Sequence, residues 1–212
     1  MTKILEIKNL CAGYKDGMDI VKDFSIDVHE GDIVGLFGTN GTGKSTICKA
    51  IMNMTSYRRG QIIFNGEDVS GLPTHELSNK GMAIMLQGGR IFPTLTVFEN
   101  LKIAQGNNCV DVFEKISKFI PFISSKDFKN KHAGTLSGGE AHHLSLAMTL
   151  LSAPKLVILD EPTAGLDHVA TIQFYKNLDK LKSELSLSII LVEHKQTNTL
   201  DLCSTVYNIT DN

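Results

Sequence analysis

Residues 38–45 read Gly38-Thr39-Asn40-Gly41-Thr42-Gly43-Lys44-Ser45, three glycines followed by a lysine and a hydroxyl. Glycines let successive backbone N–H groups curl round an anion, and a helix opening at the loop's end adds the positive end of its dipole. Lys44 supplies a point charge to terminal phosphates, and the Ser45 hydroxyl is a ligand for Mg²⁺. The spacing is GxxxxGK[ST] in full, and its context is the one this chemistry needs. An apolar strand-like run, Ile33–Phe37, precedes it and a helix-like stretch, Ser45–Met52, follows. The segment predicts a polyphosphate cradle.

Two further segments have the residue types such a cradle requires. Leu156-Val157-Ile158-Leu159 runs into Asp160-Glu161, a buried strand ending in carboxylates where α/β sheets place their ligands. Asp160 is expected to hold Mg²⁺ through water and Glu161 to polarise an attacking water. Leu136-Ser137-Gly138-Gly139-Glu140 is an S-x-x-E capping box opening an amphipathic helix, with Leu144, Ala147, Met148 and Leu151 inward. Adjacent glycines in a first turn cost up to about 1 kcal/mol each in helix propensity. That cost makes sense where bare backbone must approach an anion.

The elements that would position these groups follow from hydrophobic period. Ile4, Glu6 and Lys8 alternate with Leu5, Ile7 and Leu10, and Phe24, Ile26 and Val28 are spaced by Ser25 and Asp27. Period two fits half-buried antiparallel strands. Ile62-Ile63-Phe64 before Asn65-Gly66 predicts a strand entering a tight hairpin turn. Continuous apolar runs at Ile33–Phe37, Met82–Leu86, Leu156–Leu159 and Ser188–Val192 suit parallel strands covered on both faces. Val112, Phe113, Ile116, Phe119 and Ile120 repeat at helical spacing before Pro121 and SSKDFKNK break it. The chain therefore reads as one α/β domain over 1–212. Its core is 1–87 and 152–212, with a helical lobe inserted over about 88–151. Lys126, Lys129 and Lys131 are expected to form a solvated face.

Composition narrows the class. Hydrophobic residues are 42% and charged residues 21% of 212, an ordinary globular balance. Lys plus Arg (21) against Asp plus Glu (23) gives −2, so no basic field advertises nucleic acid or anionic lipid. Apolar runs of four or five residues fall far short of the ~20 a membrane span needs, and MTKILEIKNL lacks the pattern of a signal peptide. Cys11, Cys48, Cys109 and Cys203 are dispersed without a CxxC pair, as reduced thiols would be. His142 and His143 point about 100° apart on a helix, so they do not chelate, and no structural metal site is expected.

Taken in order from Tyr14 to His194, these segments resemble the nucleotide-binding subunit of an ATP-binding cassette (ABC) transporter. By that resemblance Gly38–Ser45 with Thr46 is the Walker A loop and Leu156–Asp160 the Walker B strand. Ser137, Gly138, Gly139 and Glu140 belong to the signature, Gln87 is the Q-loop glutamine and a Mg²⁺ ligand, Asp167 closes the D-loop, and His194 is the switch histidine. Tyr14 matches the aromatic that stacks on adenine. The resemblance implies a P-loop NTPase parallel-sheet core with an antiparallel β subdomain and an inserted helical subdomain. It implies ATP and Mg²⁺ as cofactors, with Glu161, Gln87 and His194 as the catalytic set. It implies a second ATPase subunit packed head-to-tail, so that each site is shared between two copies. It further implies integral membrane permeases, a substrate-binding protein in the case of an importer, no nucleic acid, and a peripheral position on the cytoplasmic face of the cell membrane.

The stretch Gly88–Leu101, together with Ile189–His194 and Ala164–Asp167, resembles branched-chain amino-acid uptake ATPases, a pattern that lipopolysaccharide exporters share in large part. An iron–sulfur assembly cassette and a P-loop kinase are the competing classes. The kinase reading leaves Leu136–Glu140 and His194 without a purpose. Two departures stand out. Ala141-His142-His143 and Ala147-Met148 replace segments that carry arginines in most relatives, which predicts weaker packing or slower turnover. The chain also ends at Asn212, short of the hairpin and helix with which relatives continue, so no C-terminal regulatory element is expected.

Overall fold

The computed structural model describes residues 2–15, 17–105, 109–194 and 200–210, without the side chains of Cys109, Val110 and Leu200. The thiol of Cys109 thus lies outside the described residues. In chain order the elements are β1 (Lys3–Gly13), β2 (Val21–His29), β3 (Ile33–Phe37), α1 (Lys44–Ile51), β4 (Tyr57–Phe64), β5 (Glu67–Asp68), α2 (Thr74–Asn79), β6 (Met82–Met85), α3 (Val97–Ala104), α4 (Cys109–Phe119), α5 (Lys126–Lys129), α6 (Gly138–Leu150), β7 (Leu156–Asp160), α7 (His168–Leu185), β8 (Ser188–Glu193) and β9 (Thr205–Asn208).

The alternating segments form a four-stranded antiparallel sheet in the order β2-β1-β4-β5. Its hairpin turns at Asn65 (φ 50°) and Gly66 (φ 79°), two left-handed residues whose twist matches the flanking strands. Two details depart from strict alternation. Ile4, which alternation puts on the polar face with Glu6 and Lys8, is 3% exposed and joins the core. At Asn9 (φ 51°) a bulge shifts the pairing of β1 with β4. Both Lys8 and Asn9 therefore face solvent while Leu10 and Ala12 turn inward.

The continuous apolar runs form a five-stranded parallel sheet in the order β6-β7-β8-β3-β9. Because side chains alternate faces, each central strand feeds two cores. Leu156, Ile158, Ile190 and Val192 pack toward α1 and the antiparallel sheet. Val157, Leu159, Ile189 and Leu191 pack toward α6, α7 and the helical lobe. Full burial of each such side chain is worth about 1.5–3 kcal/mol, so a polar residue here would be expensive on either face.

In the lobe, Ile116 and Ile120 are buried and Val112, Phe113 and Phe119 half-buried, as the helical repeat predicts. SSKDFKNK is not wholly irregular: a 3₁₀ turn at Pro121–Ser124 leads into the single turn of α5. Lys129 and Lys131 lie over the rings of Phe98 and Phe128, at 4.3 and 4.7 Å. The larger correction concerns α6. Leu144, Ala147 and Leu151 are buried, but Met148 is only half-buried, and His142, Ser145, Leu146 and Leu150 are buried as well. The helix is enclosed by α3, α7 and β6 and has no broad polar face.

Candidate functional site

The loop from β3 to α1 owes its shape to left-handed backbone. Gly41 (φ 88°) and Gly43 (φ 89°) adopt a conformation that L side chains rarely take. Gly43 is the N-cap of α1 and offers no side-chain acceptor, so the first N–H groups of the helix stay available to an anion. Lys44 is 4% exposed. Its Nζ donates to the carbonyls of Gly38 and Thr39, both at 2.8 Å, and stands 3.4 Å from His194 Nδ1. The ammonium is thus folded back on its own loop and forms no ion pair among the described residues.

Across the sheet, β7 delivers Asp160, 1% exposed, and Glu161, 4% exposed. Ser45 Oγ donates to Asp160 Oδ1 at 3.0 Å. Burial pushes the Asp160 carboxyl up, and the Ser45 hydrogen bond partly offsets this. A buried carboxylate and a hydroxyl converge here with no cation paired to Asp160 among the described residues. Hard oxygen donors on one side and a phosphate cradle on the other fit Mg²⁺. Glu161 has φ 49°, an uncommon conformation for a residue with a Cβ. Its N–H donates to the Val192 carbonyl at 3.0 Å. Its carboxylate accepts from Gln87 Nε2 at 2.6 Å and lies 2.8 Å from His194 Nε2. The imidazole of His194 thus bridges Lys44 at Nδ1 and Glu161 at Nε2.

These groups surround one open cleft of about 450 Å³, lined by Asn40, Gly41 and residues 43–46 of the loop with Ile20, Gln87, Glu161 and His194. An equal volume opens on the other flank of the loop, between β2 and β9, but Lys44, Ser45 and Glu161 face the first. The structure therefore brings together Gly38, Thr39, Asn40, Gly41, Thr42, Gly43, Lys44, Ser45, Thr46, Gln87, Asp160, Glu161 and His194. Tyr14 is not among the lining residues. Tyr14 is 45% exposed, and Lys49 Nζ of α1 sits 5.9 Å from its ring centroid.

Ser137, Gly138, Gly139, Glu140 and Asp167 also line no part of the cleft of their own chain. The capping box is reciprocal: Glu140 N–H donates to Ser137 Oγ at 3.3 Å and Ser137 N–H to Glu140 Oε2 at 2.7 Å. Gly138 faces open space, with nothing within 4 Å of where a Cβ would stand. Asp167 caps α7, its Oδ1 accepting from Ala170 N–H at 2.8 Å.

His143 of α6 is held by hydrogen bonds and ring packing. Its Nδ1 donates to the Gly139 carbonyl at 2.8 Å, its Nε2 accepts from Asn177 Nδ2 at 3.2 Å, and its ring leans on Phe174. The stretch after Gln87 likewise has a structural reason for its pattern. Thr96 and Glu99 form a second capping box. Asn100, fully buried, bonds the backbone of Phe92 in both directions and the Thr96 carbonyl. Those residues hold the loop that leads into α3. Glu193 carries the same sequence signal as Asp160 and Glu161, an apolar strand ending in a carboxylate.

The ABC transporter family model matches residues 21–164. The lipopolysaccharide export system ATP-binding protein LptB of Haemophilus influenzae is 33% identical over 208 residues, covering 96% of this chain and 86% of its own length. The probable branched-chain amino acid transport ATP-binding protein LivF of Archaeoglobus fulgidus is 34% identical over 206 residues, covering 96% and 87%. A nucleotide-free ATP-binding cassette from an ABC transporter superposes with a TM-score of 0.85 at 23% identity, covering 99% of this chain and 88% of that one. The fold is thus that of ABC ATPases. The two named relatives, near-equal in identity, differ in cargo, so similarity does not single out branched-chain amino acids.

Proposed function

This chain belongs to the ATP-binding proteins of ABC transporters, and from that premise we propose that it hydrolyses ATP to drive a separate membrane permease. The observation carrying the reading is the convergence of Lys44, Ser45, Asp160, Glu161, Gln87 and His194 on one cleft at the carboxyl ends of parallel strands. Loop N–H groups and Lys44 hold the β- and γ-phosphates, as oriented donors and a mobile cation do in such loops. Ser45, Asp160 and Gln87 are the residues that would hold Mg²⁺, which neutralises phosphate charge when bound. Glu161 takes the proton of the attacking water, and His194 and Gln87 keep its carboxylate aimed. Tyr14 stacks on adenine.

Because Ser137–Glu140 and Asp167 lie outside their own chain's cleft, we assign them to the cleft of a second copy, packed head-to-tail. No helix among the described residues is long and apolar enough to cross a membrane. We take the permease to be a separate polypeptide, with this subunit on the inner face of the cell membrane. A cleft of about 250 Å³ beside Arg90, flanked by Ile84, Ile103 and Met148, is the face proposed to meet it. For cargo we favour branched-chain amino acids, on the Gly88–Leu101 resemblance, with a substrate-binding protein as a further partner. Stimulation of turnover by lipopolysaccharide in the reconstituted transporter would replace that choice.

The test is phosphate release from MgATP. The wild type is expected to release free phosphate. Lys44→Ala should lose nucleotide binding and turnover together. Glu161→Gln should keep binding and lose turnover by about 10²–10⁴-fold, the usual worth of a general base. A phosphorylated acceptor in place of free phosphate would overturn the reading.

A further inference from the structure

Glu193 ends β8 one residue before His194, yet its carboxylate turns to the loop that follows Glu161. Tyr175 Oη of α7 donates to Glu193 Oε1 at 2.5 Å, Thr163 Oγ1 donates to the same oxygen at 3.0 Å, and the two hydroxyls lie 3.3 Å apart. Tyr175 is 5% exposed. Burial and the neighbouring carboxylate hold its phenol proton on well above the ordinary range, so it donates at any working pH. Glu193 makes no ion pair among the described residues. A half-buried carboxylate held only by hydroxyls is a costly way to join two strands, and an apolar pair would serve stability as well.

The position of Thr163 gives the cluster a purpose. It lies two residues after Glu161 and four before Asp167, in the turn closed by Ala164 N–H to the Glu161 carbonyl at 3.1 Å. Glu161 sits in left-handed backbone, and such strain persists only where its surroundings over-determine it. Three of its constraints are its own, the bonds to the Val192 carbonyl, to Gln87 and to His194. A fourth is the side-chain tie from Thr163 to Glu193. The Val192, His194 and Glu193 bonds lace the end of β7 to the end of β8.

We propose that Glu193 is a positioning residue: through Thr163, and anchored by Tyr175, it fixes the loop 161–167. It thereby sets both the aim of Glu161 and the presentation of Asp167. This rests on the ATPase reading above. Glu193 lines no part of the cleft, so its loss is expected to act on turnover and not on ATP binding.

Steady-state hydrolysis and melting of Thr163→Val, Tyr175→Phe, Glu193→Gln and Glu193→Leu test the assignment. T163V and E193L are each expected to lower kcat about tenfold with KM for ATP within about twofold, the signature of an interaction needed in the transition state. The double variant should be no slower than either single one, because both remove the same tie. E193Q keeps an acceptor and should stay within about threefold of wild type, whereas Y175F, which frees the Glu193 rotamer, should lower kcat with KM unchanged. An E193L protein that melts normally and turns over at the wild-type rate overturns the proposal. So do losses that multiply in the double variant, or a raised KM with kcat intact. Should E193L fail to fold, T163V and Y175F decide by the same criteria. An active wild type with unaffected variants overturns this inference alone; an inactive wild type overturns the ATPase reading with it.

Discussion

Tyr14 and His143 show how single side chains here can be tested without disturbing the cradle. Tyr14 is half-open to solvent beside α1, and the chain contains no tryptophan. Tyr14→Trp therefore places a lone reporter at the proposed adenine position. ATP should change its emission, and adding Lys44→Ala should abolish the change; emission indifferent to ATP removes Tyr14 from the site. At His143 the argument is one of protons. Burial holds its pKa below the ordinary 6.5, outweighing the hydrogen bond to the Gly139 carbonyl. The unfolded chain thus binds more protons at this residue than the native one. The stability contributed by neutral His143 is complete above pH 6.5 and drains away as pH falls from there toward the lower native value. His143→Gln keeps the bond to Asn177 without a titrating group. It should lose less stability than wild type between about pH 7 and 5 in denaturant titrations; parallel curves would show that His143 is not desolvated.

At the scale of elements, α6 separates folding from the proposed task. Gly138 opens the helix, and outside its own turn nothing among the described residues comes within 4 Å of the place a side-chain carbon would take. Glutamate in a first turn favours a helix by about 0.3–1 kcal/mol through the dipole. Gly138→Glu is therefore expected to melt no lower than wild type and yet lose ATP hydrolysis, since its carboxylate would face a partner's phosphates. A variant of ordinary turnover would deny the glycine any role at the nucleotide. The same helix marks how far hydrophobic period can be read. β3, β7 and β8 were legible because an uninterrupted apolar run admits only a strand covered on both sides, and the Asn65-Gly66 turn because two left-handed residues have few alternatives. The cradle was legible because its chemistry is local in sequence. The enclosure of α6 was not, since its polar positions, His142 and Ser145, find backbone partners only in the folded chain, at Gly138 and Arg90. Nor was the burial of Ile4, which depends on the sheet's edge packing, or the Glu193 cluster, whose members stand 12 to 30 residues apart.

On the scale of the whole molecule, the groups proposed to bind ATP gather within one chain, and none of the described residues closes their cleft. The cleft is open beside Lys44 and His194, while Ser137, Gly138 and Asp167 present helix starts elsewhere on the surface. Two copies related by a two-fold axis would bring each cradle against the other's α6, an isologous arrangement that leaves no surplus valence. Nucleotide then acts as the adhesive, because a triphosphate bound by one chain supplies the anion that the other's helix start lacks. The decisive measurement is the solution mass of Glu161→Gln by light scattering, with and without millimolar MgATP. The mass should double with nucleotide and stay single when Lys44→Ala is added. A protein that binds ATP yet remains at the mass of one chain would contradict the account.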